Sequence, residues 1–180
     1  MQDSLCFTTT YPSPLGDITM AGNGQALTGL WFSGQKYFGA QLPEETTPGD
    51  TPIFEQTKVW LDCYFRGQQP ESLPPMAATG TPFQKIVWDL LGQIPYGTCT
   101  TYGALAKLVA QRLGRATMSA QAVGGAVGRN PISILIPCHR VIGTSGSLTG
   151  YAGGLERKLF LLRLEGVDTA KLSQPKKFSP

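Results

Sequence analysis

The chain has 180 residues, of which 41% are hydrophobic and 15% charged, enough apolar content to bury the core of one domain or two small ones and too much for a disordered chain. Its net charge of +3 is uneven: residues 1–75 carry three basic and eight acidic side chains, and residues 76–180 carry twelve basic and four acidic, so the second part suits a polyanion partner and the first does not. No run of about 18 apolar residues suggests a membrane span, no secretory signal opens the sequence, and four scattered cysteines with a single histidine point to a reduced, cytoplasmic protein with free thiols rather than to a Cys/His zinc site.

Residues 5–11 are β-prone, residues 12–16 (Pro-Ser-Pro-Leu-Gly) read as a turn, and residues 17–21 alternate apolar and polar. Gly22-Asn23-Gly24 is a hairpin signal, and residues 26–32 form the next expected strand. Residues 34–52, polar and rich in Gly, Pro and Thr, read as a surface loop. Residues 52–65 then predict an amphipathic helix with Ile53, Phe54, Val59, Trp60, Leu61, Tyr64 and Phe65 as its apolar set, stopped by residues 67–75. A boundary falls near residues 74–82, where Pro74-Pro75 and Thr79-Gly80-Thr81-Pro82 break regular structure. The chain therefore divides into a structural domain over 1–78, a second domain over 79–167 and a basic tail over 168–180 carrying Lys171, Lys176 and Lys177, expected to be loosely held.

In the second domain, Thr81-Pro82 suits the start of a helix whose buried face is Phe83, Ile86, Val87, Leu90 and Leu91. Pro95-Tyr96-Gly97 is a turn. Thr100 or Thr101 can cap a further helix with Tyr102, Leu105, Ala106, Val109 and Leu113 on one side, ended by Gly114. Ser119 can cap residues 120–128, and Pro131 stops that segment. Two helices joined by a short turn in the basic part of the chain predict a helix-turn-helix. Gly124 and Gly125 each cost about 1 kcal/mol in a helix interior, which calls for a reason. Either the segment packs tightly on its neighbour, or its exposed backbone approaches nucleic acid. Residues 155–164 predict a last helix with Leu155, Leu159, Phe160 and Leu162 inward, ended by Gly166.

The most distinctive stretch lies between these helices. Residues 130–141 read Asn-Pro-Ile-Ser-Ile-Leu-Ile-Pro-Cys-His-Arg-Val and place Cys138 directly before the lone histidine, His139. A thiol needs to become a thiolate to react, and a neighbouring imidazole can take its proton. Pro137 stiffens the backbone entering Cys138. The alternative is a buried core cysteine, because free cysteine is among the most buried residue types.

Pro137-Cys138-His139-Arg140-Val141, followed by Gly150-Tyr151-Ala152-Gly153-Gly154, resembles the signature of the O6-alkylguanine-DNA alkyltransferase family, and the resemblance runs from about residue 8 to residue 167. It implies an α/β protein: an N-terminal α/β domain with an antiparallel, ribonuclease-H-like sheet, and a mostly helical C-terminal domain like a winged helix-turn-helix. It implies stoichiometric, irreversible transfer of an alkyl group from O6-alkylguanine (O4-alkylthymine is a further candidate) in double-stranded DNA to Cys138, without metal or organic cofactor. It assigns His139 as the base acting through water, Glu165 as the residue orienting the imidazole, and Asn130 as the brace of the cysteine turn. Tyr102 would donate to the guanine leaving group, and Val141, Tyr151 and Ala152 would line the base pocket. Residues 120–128 would be the recognition helix, with Gln121, Ala122, Gly125 and Arg129 toward DNA. The implied protein is a monomer that can also bind DNA side by side.

Three features depart from that family. Gln121 stands where the family commonly has an arginine that fills the space left by the flipped base. The connection from Leu108 to Ser119 is several residues longer. Some members bind zinc in the N-terminal part, and without histidine there no such site is expected. The competing reading is a non-catalytic relative that binds alkylated bases and flags them for excision repair; such relatives replace the cysteine, which Cys138 does not fit.

Overall fold

In the computed structural model, which describes residues 5–173, the β-prone runs near the N-terminus pair as an antiparallel meander. Strands β1 (Phe7–Ser13), β2 (Gly16–Gly22) and β3 (Leu27–Phe32) carry a short β4 (Thr47–Pro48) parallel to the start of β1, giving the order β3-β2-β1-β4. Two expectations change here. The stretch 34–52 is not loop throughout, because Thr47 and Pro48 join the sheet beside Phe7 and Thr8. Pro12 lies inside β1 opposite Asp17 rather than in the turn, which narrows to Pro14-Leu15. A proline is tolerated there because β4 reaches only as far as Thr8, so Pro12 sits on an open edge where no ladder donor is needed.

Ile18, Met20 and Ala21 of β2 and Leu27, Leu30, Trp31 and Phe32 of β3 are buried, as are Ile53, Phe54, Thr57, Leu61 and Tyr64 of helix α1 (Pro52–Phe65). Val59 was expected inward but is 69% exposed. It lies two residues, about 200° of helix rotation, beyond the inward Thr57. The free edge of β3 is satisfied from elsewhere in the chain. Leu27 N–H donates to Pro75 O at 2.9 Å, Leu30 N–H donates to Pro131 O at 2.8 Å, and Ser133 N–H returns to Leu30 O at 2.9 Å. Residues Pro131–Leu135 thus belong to the unit that otherwise ends at Thr81.

The second compact unit comprises Pro82–Asn130 and the chain from Ile136 onward. Helices α2 (Pro82–Leu91), α3 (Tyr102–Leu113) and α4 (Ala120–Gly128) pack on one another, and Trp88 Nε1–H of α2 donates to Ala126 O of α4 at 2.9 Å. Of the residues expected to face inward on α2, Val87, Leu90 and Leu91 are buried, whereas Phe83 and Ile86 are only partly covered. Thr101 Oγ1 caps α3 by accepting from Ala104 N–H, Gly114 ends it in the left-handed conformation (φ 64°), and Ser119 Oγ caps α4 through Ala122 N–H. Half of the long Leu108–Ser119 connection is helix, since α3 runs on to Leu113, and residues 114–119 turn the chain into α4.

Strands β5 (Thr100–Thr101) and β6 (Val141–Ile142) pair in parallel, which ties the start of α3 to the exit from the cysteine turn. Helix α5 (Leu155–Leu164) buries Leu162 with Ile142 and Leu148, and Cys99, Leu155, Leu159, Val167 and Leu172 pack around them. Phe160, expected inward, is 37% exposed. The chain to Ser173 is held: Ser173 N–H donates to Gly146 O at 3.0 Å and its carbonyl accepts from Leu148 N–H at 2.8 Å. Lys176 and Lys177, called part of a basic tail, lie outside the described residues.

Candidate active site

The backbone reaches Cys138 through two three-residue turns. Ile134 has φ 71°, and Leu135 N–H donates across it to Ser133 O at 2.9 Å. A positive φ is costly for a β-branched residue, on the order of 1–3 kcal/mol. Pro137 (φ −83°, ψ 64°) forms an inverse γ-turn, with Cys138 N–H donating to Ile136 O at 2.8 Å. Residues Cys138–Arg140 then make one 3₁₀ turn before β6. Asn130 holds this path from the side: its Nδ2 donates to Ile136 O at 2.7 Å and to Cys138 Sγ at 3.2 Å. A donor of that kind favours the thiolate over the thiol.

Cys138 is 5% exposed, so both readings of its sequence setting hold in part: it is buried, and it sits among polar groups. Burial raises its pKa above the ordinary thiol value. The Asn130 amide, the Lys158 ammonium and the backbone N–H groups of Cys138 and His139 act in the opposite direction. Tyr102, at the first position of α3, has its pKa raised to about 12 by burial and then by the nearby Cys138. Its hydroxyl donates to the carbonyls of Thr149 (3.2 Å) and Gly150 (3.1 Å), so donation to a base would require it to leave these acceptors. Tyr151 is half-buried, with a hydroxyl closed off from solvent and without a hydrogen-bond partner among the described residues. Ala152 is half-buried beside it, and Val141 is fully buried.

His139 and Glu165 are both buried, with Nε2 and Oε1 2.7 Å apart. The Glu165 carboxyl is pulled down to about 2: burial opposes ionisation, but hydrogen bonds from His139 and Arg140 outweigh it. An ionised carboxylate can only accept, so His139 Nε2 carries the proton and the lone pair of the neutral ring lies on Nδ1. Burial is also the largest influence on His139 and lowers its pKa, which keeps the ring neutral and able to act as a base near pH 7.

Arg140 completes the cluster. Its Nε and Nη2 donate to Glu165 Oε2 and Oε1, both at 2.9 Å, its Nη1 donates to Ile94 O at 2.7 Å, and its guanidinium lies 5.7 Å from the Tyr96 ring centre. Gly97 N–H adds a donor to Glu165 Oε2 at 3.1 Å. Gly97 has φ 75°, and a β-carbon there would stand 2.9 Å from Glu165 O, so glycine is required for this approach.

The structure brings Cys138, His139, Glu165, Asn130, Tyr102, Val141, Tyr151 and Ala152 into one unit. Arg140, Lys158 and Gly97 were missed by the sequence reading. Lys158 had a visible signal: it stands between Leu155, Leu159 and Leu162 at helical spacing, on the face that turns inward.

On α4, Gln121, Ala122 and Gly125 are exposed, and Arg129 is exposed just past its end. A β-carbon at Gly124 would meet the Tyr102 ring at an ordinary 3.6 Å, and one at Gly125 or Gly128 would meet nothing within 4 Å. Internal packing therefore does not explain these glycines. Among the described residues no group of three or more His, Cys, Asp or Glu is placed to hold a metal ion, and no helix is long and apolar enough to cross a membrane.

Comparison with known proteins matches both parts of the chain. Residues 82–167 match the family model described as the DNA binding domain of 6-O-methylguanine DNA methyltransferase, and residues 6–74 match its ribonuclease-like domain. The chain is 40% identical over 160 residues to a methylated-DNA–protein-cysteine methyltransferase of Haemophilus influenzae, covering 88% of this chain and 86% of that protein. It is 44% identical over 156 residues to the protein of that name from Mycobacterium leprae, covering 85% and 88%. Among solved structures, Mycobacterium tuberculosis OGT in complex with DNA superposes with a TM-score of 0.78 at 40% identity, covering 92% of this chain and 94% of that one.

Proposed function

The chain belongs to the 6-O-methylguanine DNA methyltransferase family, and from that premise we propose how its own residues carry out the repair. The function is direct reversal of DNA damage: an alkyl group passes from the DNA to a cysteine of the protein. Cys138 is the acceptor. His139 Nδ1 takes the thiol proton, directly or through one water, and the Glu165 carboxylate holds the ring in the required tautomer. The thiolate attacks the alkyl carbon on guanine O6, the carbon–oxygen bond breaks, and its electron pair stays with the guanine. Tyr102 then supplies a proton to the base, and the proton taken up by His139 passes through solvent to restore the tyrosine, leaving both side chains neutral. A thioether is a poor leaving group, so each molecule acts once.

Asn130 supports this assignment most directly, because its Nδ2 sits 3.2 Å from Cys138 Sγ while also pinning the Ile136 carbonyl. The substrate is O6-alkylguanine in double-stranded DNA, with O4-alkylthymine as a second lesion to test. The base must rotate out of the stack to reach a thiol that is only 5% exposed, at a cost of a few kcal/mol. Tyr151, Ala152 and the Val141 backbone line its pocket. Gln121, Ala122, Gly125 and Arg129 face the DNA, with neutral Gln121 filling the vacated space by hydrogen bonding. The protein works as a monomer able to bind side by side on DNA, and four free cysteines suit a reducing, cytoplasmic setting.

Intact mass after mixing with a duplex bearing one O6-methylguanine tests the assignment. One methyl group is gained per chain, maps to Cys138, and is absent in Cys138→Ser. Tight lesion binding without mass gain would instead make the chain a recognition protein.

A further inference from the structure

The C-terminal unit buries one lysine completely, and the chemistry above gives it no part. Lys158 is 0% exposed on the inward face of α5. Its Nζ donates to Val141 O at 2.5 Å and to Thr149 O at 3.3 Å. Both carbonyls belong to the reaction site. Val141 leaves the cysteine turn, and Thr149 O is also an acceptor of the Tyr102 hydroxyl. The lysine therefore ties the segment after Cys138 to the loop that Tyr102 clasps.

The balance of buried charge is more telling. Arg140 and Glu165 neutralise each other through two hydrogen bonds, and His139 is held neutral by burial. The Lys158 charge remains. An ammonium buried without an anion costs several kcal/mol, which two carbonyl dipoles only partly offset. Two ionisable groups favour its charged form, Cys138 and Cys99. Cys99 is a poor anion, because burial and then the neighbouring Glu165 carboxylate both hold it protonated. Tyr102 and Tyr151 are also kept protonated by burial. Burial also raises the Cys138 pKa, but every other influence on it, the Asn130 amide, the Lys158 ammonium and the backbone N–H groups of Cys138 and His139, favours the anion.

We infer that Lys158 is a positioning residue for the alkyl transfer proposed above: its ammonium is the counter-ion of the Cys138 thiolate, and its hydrogen bonds fix the Val141 and Thr149 carbonyls beside it. The inference rests on that reading of the site, with Cys138 as nucleophile. Burial lowers the lysine pKa to about 8, which leaves most molecules with a protonated Lys158 near pH 7. In the protonated-lysine state the thiolate is supported; where the lysine loses its proton, that support goes with it.

The test measures the pH dependence of Cys138 alkylation by iodoacetamide, mapped by peptide mass, in the wild type, Lys158→Met and Lys158→Arg. Thermal unfolding and undamaged-duplex binding check that each variant is folded. Lys158→Met should move the midpoint upward and slow Cys138 alkylation at pH 7 about tenfold or more, as expected for loss of a nearby opposite charge. Lys158→Arg should recover most of that loss. A folded Lys158→Met with the wild-type midpoint overturns the inference, and so does a folded Lys158→Arg as impaired as the methionine variant. If the methionine variant does not fold, the wild type decides, by NMR titration of isotope-labelled lysine. Carbamidomethylation of Cys138 removes the thiolate and should lower the Lys158 pKa; an unchanged lysine titration overturns the pairing. Iodoacetamide needs no DNA, so the two readings fail separately. A wild type that shows the lysine-dependent midpoint yet takes no methyl from a duplex sinks the repair assignment and leaves the ion pair standing.

Discussion

Replacing Gly125 by alanine should strengthen the free protein and weaken its hold on DNA. Gly125 lies inside α4, outside the positive-φ set, and a β-carbon there meets nothing within 4 Å. Alanine therefore brings no clash in the free protein and removes the helix-propensity cost of glycine, about 1 kcal/mol. In a chain of this size that raises Tm by about 2–4 °C. The same methyl projects from the face that carries Gln121 and Ala122. If a nucleic-acid backbone or groove wall lies against that face, the methyl occupies contact space at about 1–3 kcal/mol, roughly fivefold or more in affinity. The assay pairs thermal unfolding with fluorescence anisotropy on a lesion-bearing duplex at fixed salt. Iodoacetamide reactivity of Cys138 serves as the control and should not change. A variant that is more stable and binds DNA as well as the wild type would refute the docking argument. A variant that is less stable would refute the claim that the face is open.

Asn130→Ala removes the donor to Cys138 Sγ and leaves the Ile136 carbonyl unpaired in a buried setting. Thiol alkylation at pH 7 should slow by about tenfold, and the unfolding free energy should fall by about 1–3 kcal/mol; wild-type values for both would remove Asn130 from the site. Stability should fall with acid in two windows. Below about pH 6.5 the unfolded chain takes up a proton that buried His139 resists, and between the ordinary carboxyl value of 4.5 and about 2 the unfolded Glu165 protonates while the folded one stays charged. The second window removes on the order of 3 kcal/mol; a Tm flat from pH 7 to 5 would contradict the His139 assignment, and one flat from pH 4.5 to 2 the Glu165 assignment. Gln121→Arg restores a positive charge on the exposed side of α4 and should tighten duplex binding with a steeper salt dependence; unchanged or weaker binding would count against Gln121 as the residue in the vacated stack.

What the sequence made legible was local. The helix over residues 52–65, the capping hydroxyls of Thr101 and Ser119, and the glycine stop at Gly114 each rest on neighbours within a few residues, and the structure has them as expected. The errors lie where the partner is remote. Thr47 joins the sheet because Cys6 O accepts its N–H, and Pro12 is tolerated in a strand only because β4 stops short. Neither can be seen in a window of ten residues.

The active centre divides along the same line. Cys138 and His139 stand out as adjacent letters, but what sets their protonation lies elsewhere in the chain, from Asn130 eight positions before the cysteine to Glu165 26 positions after the histidine. Glu165 meets His139 from the C-terminal side, and the Gly97 amide reaches Glu165 from the N-terminal side. Periodicity treats a helix face as apolar or polar, so it passed over Lys158, which occupies an apolar register position on α5 while carrying a charge. The mismatch is itself informative. A lysine buried among leucines keeps its charge only if something nearby can become an anion, and the adjacent turn presents a cysteine. Gly124 and Gly125 make the complementary case. Small residues left open either tight internal packing or close approach to nucleic acid, and at Gly125 no atom of the protein is close enough to require one. A costly residue without an internal reason points outward, and on a basic domain that is the ground for proposing that this face meets DNA.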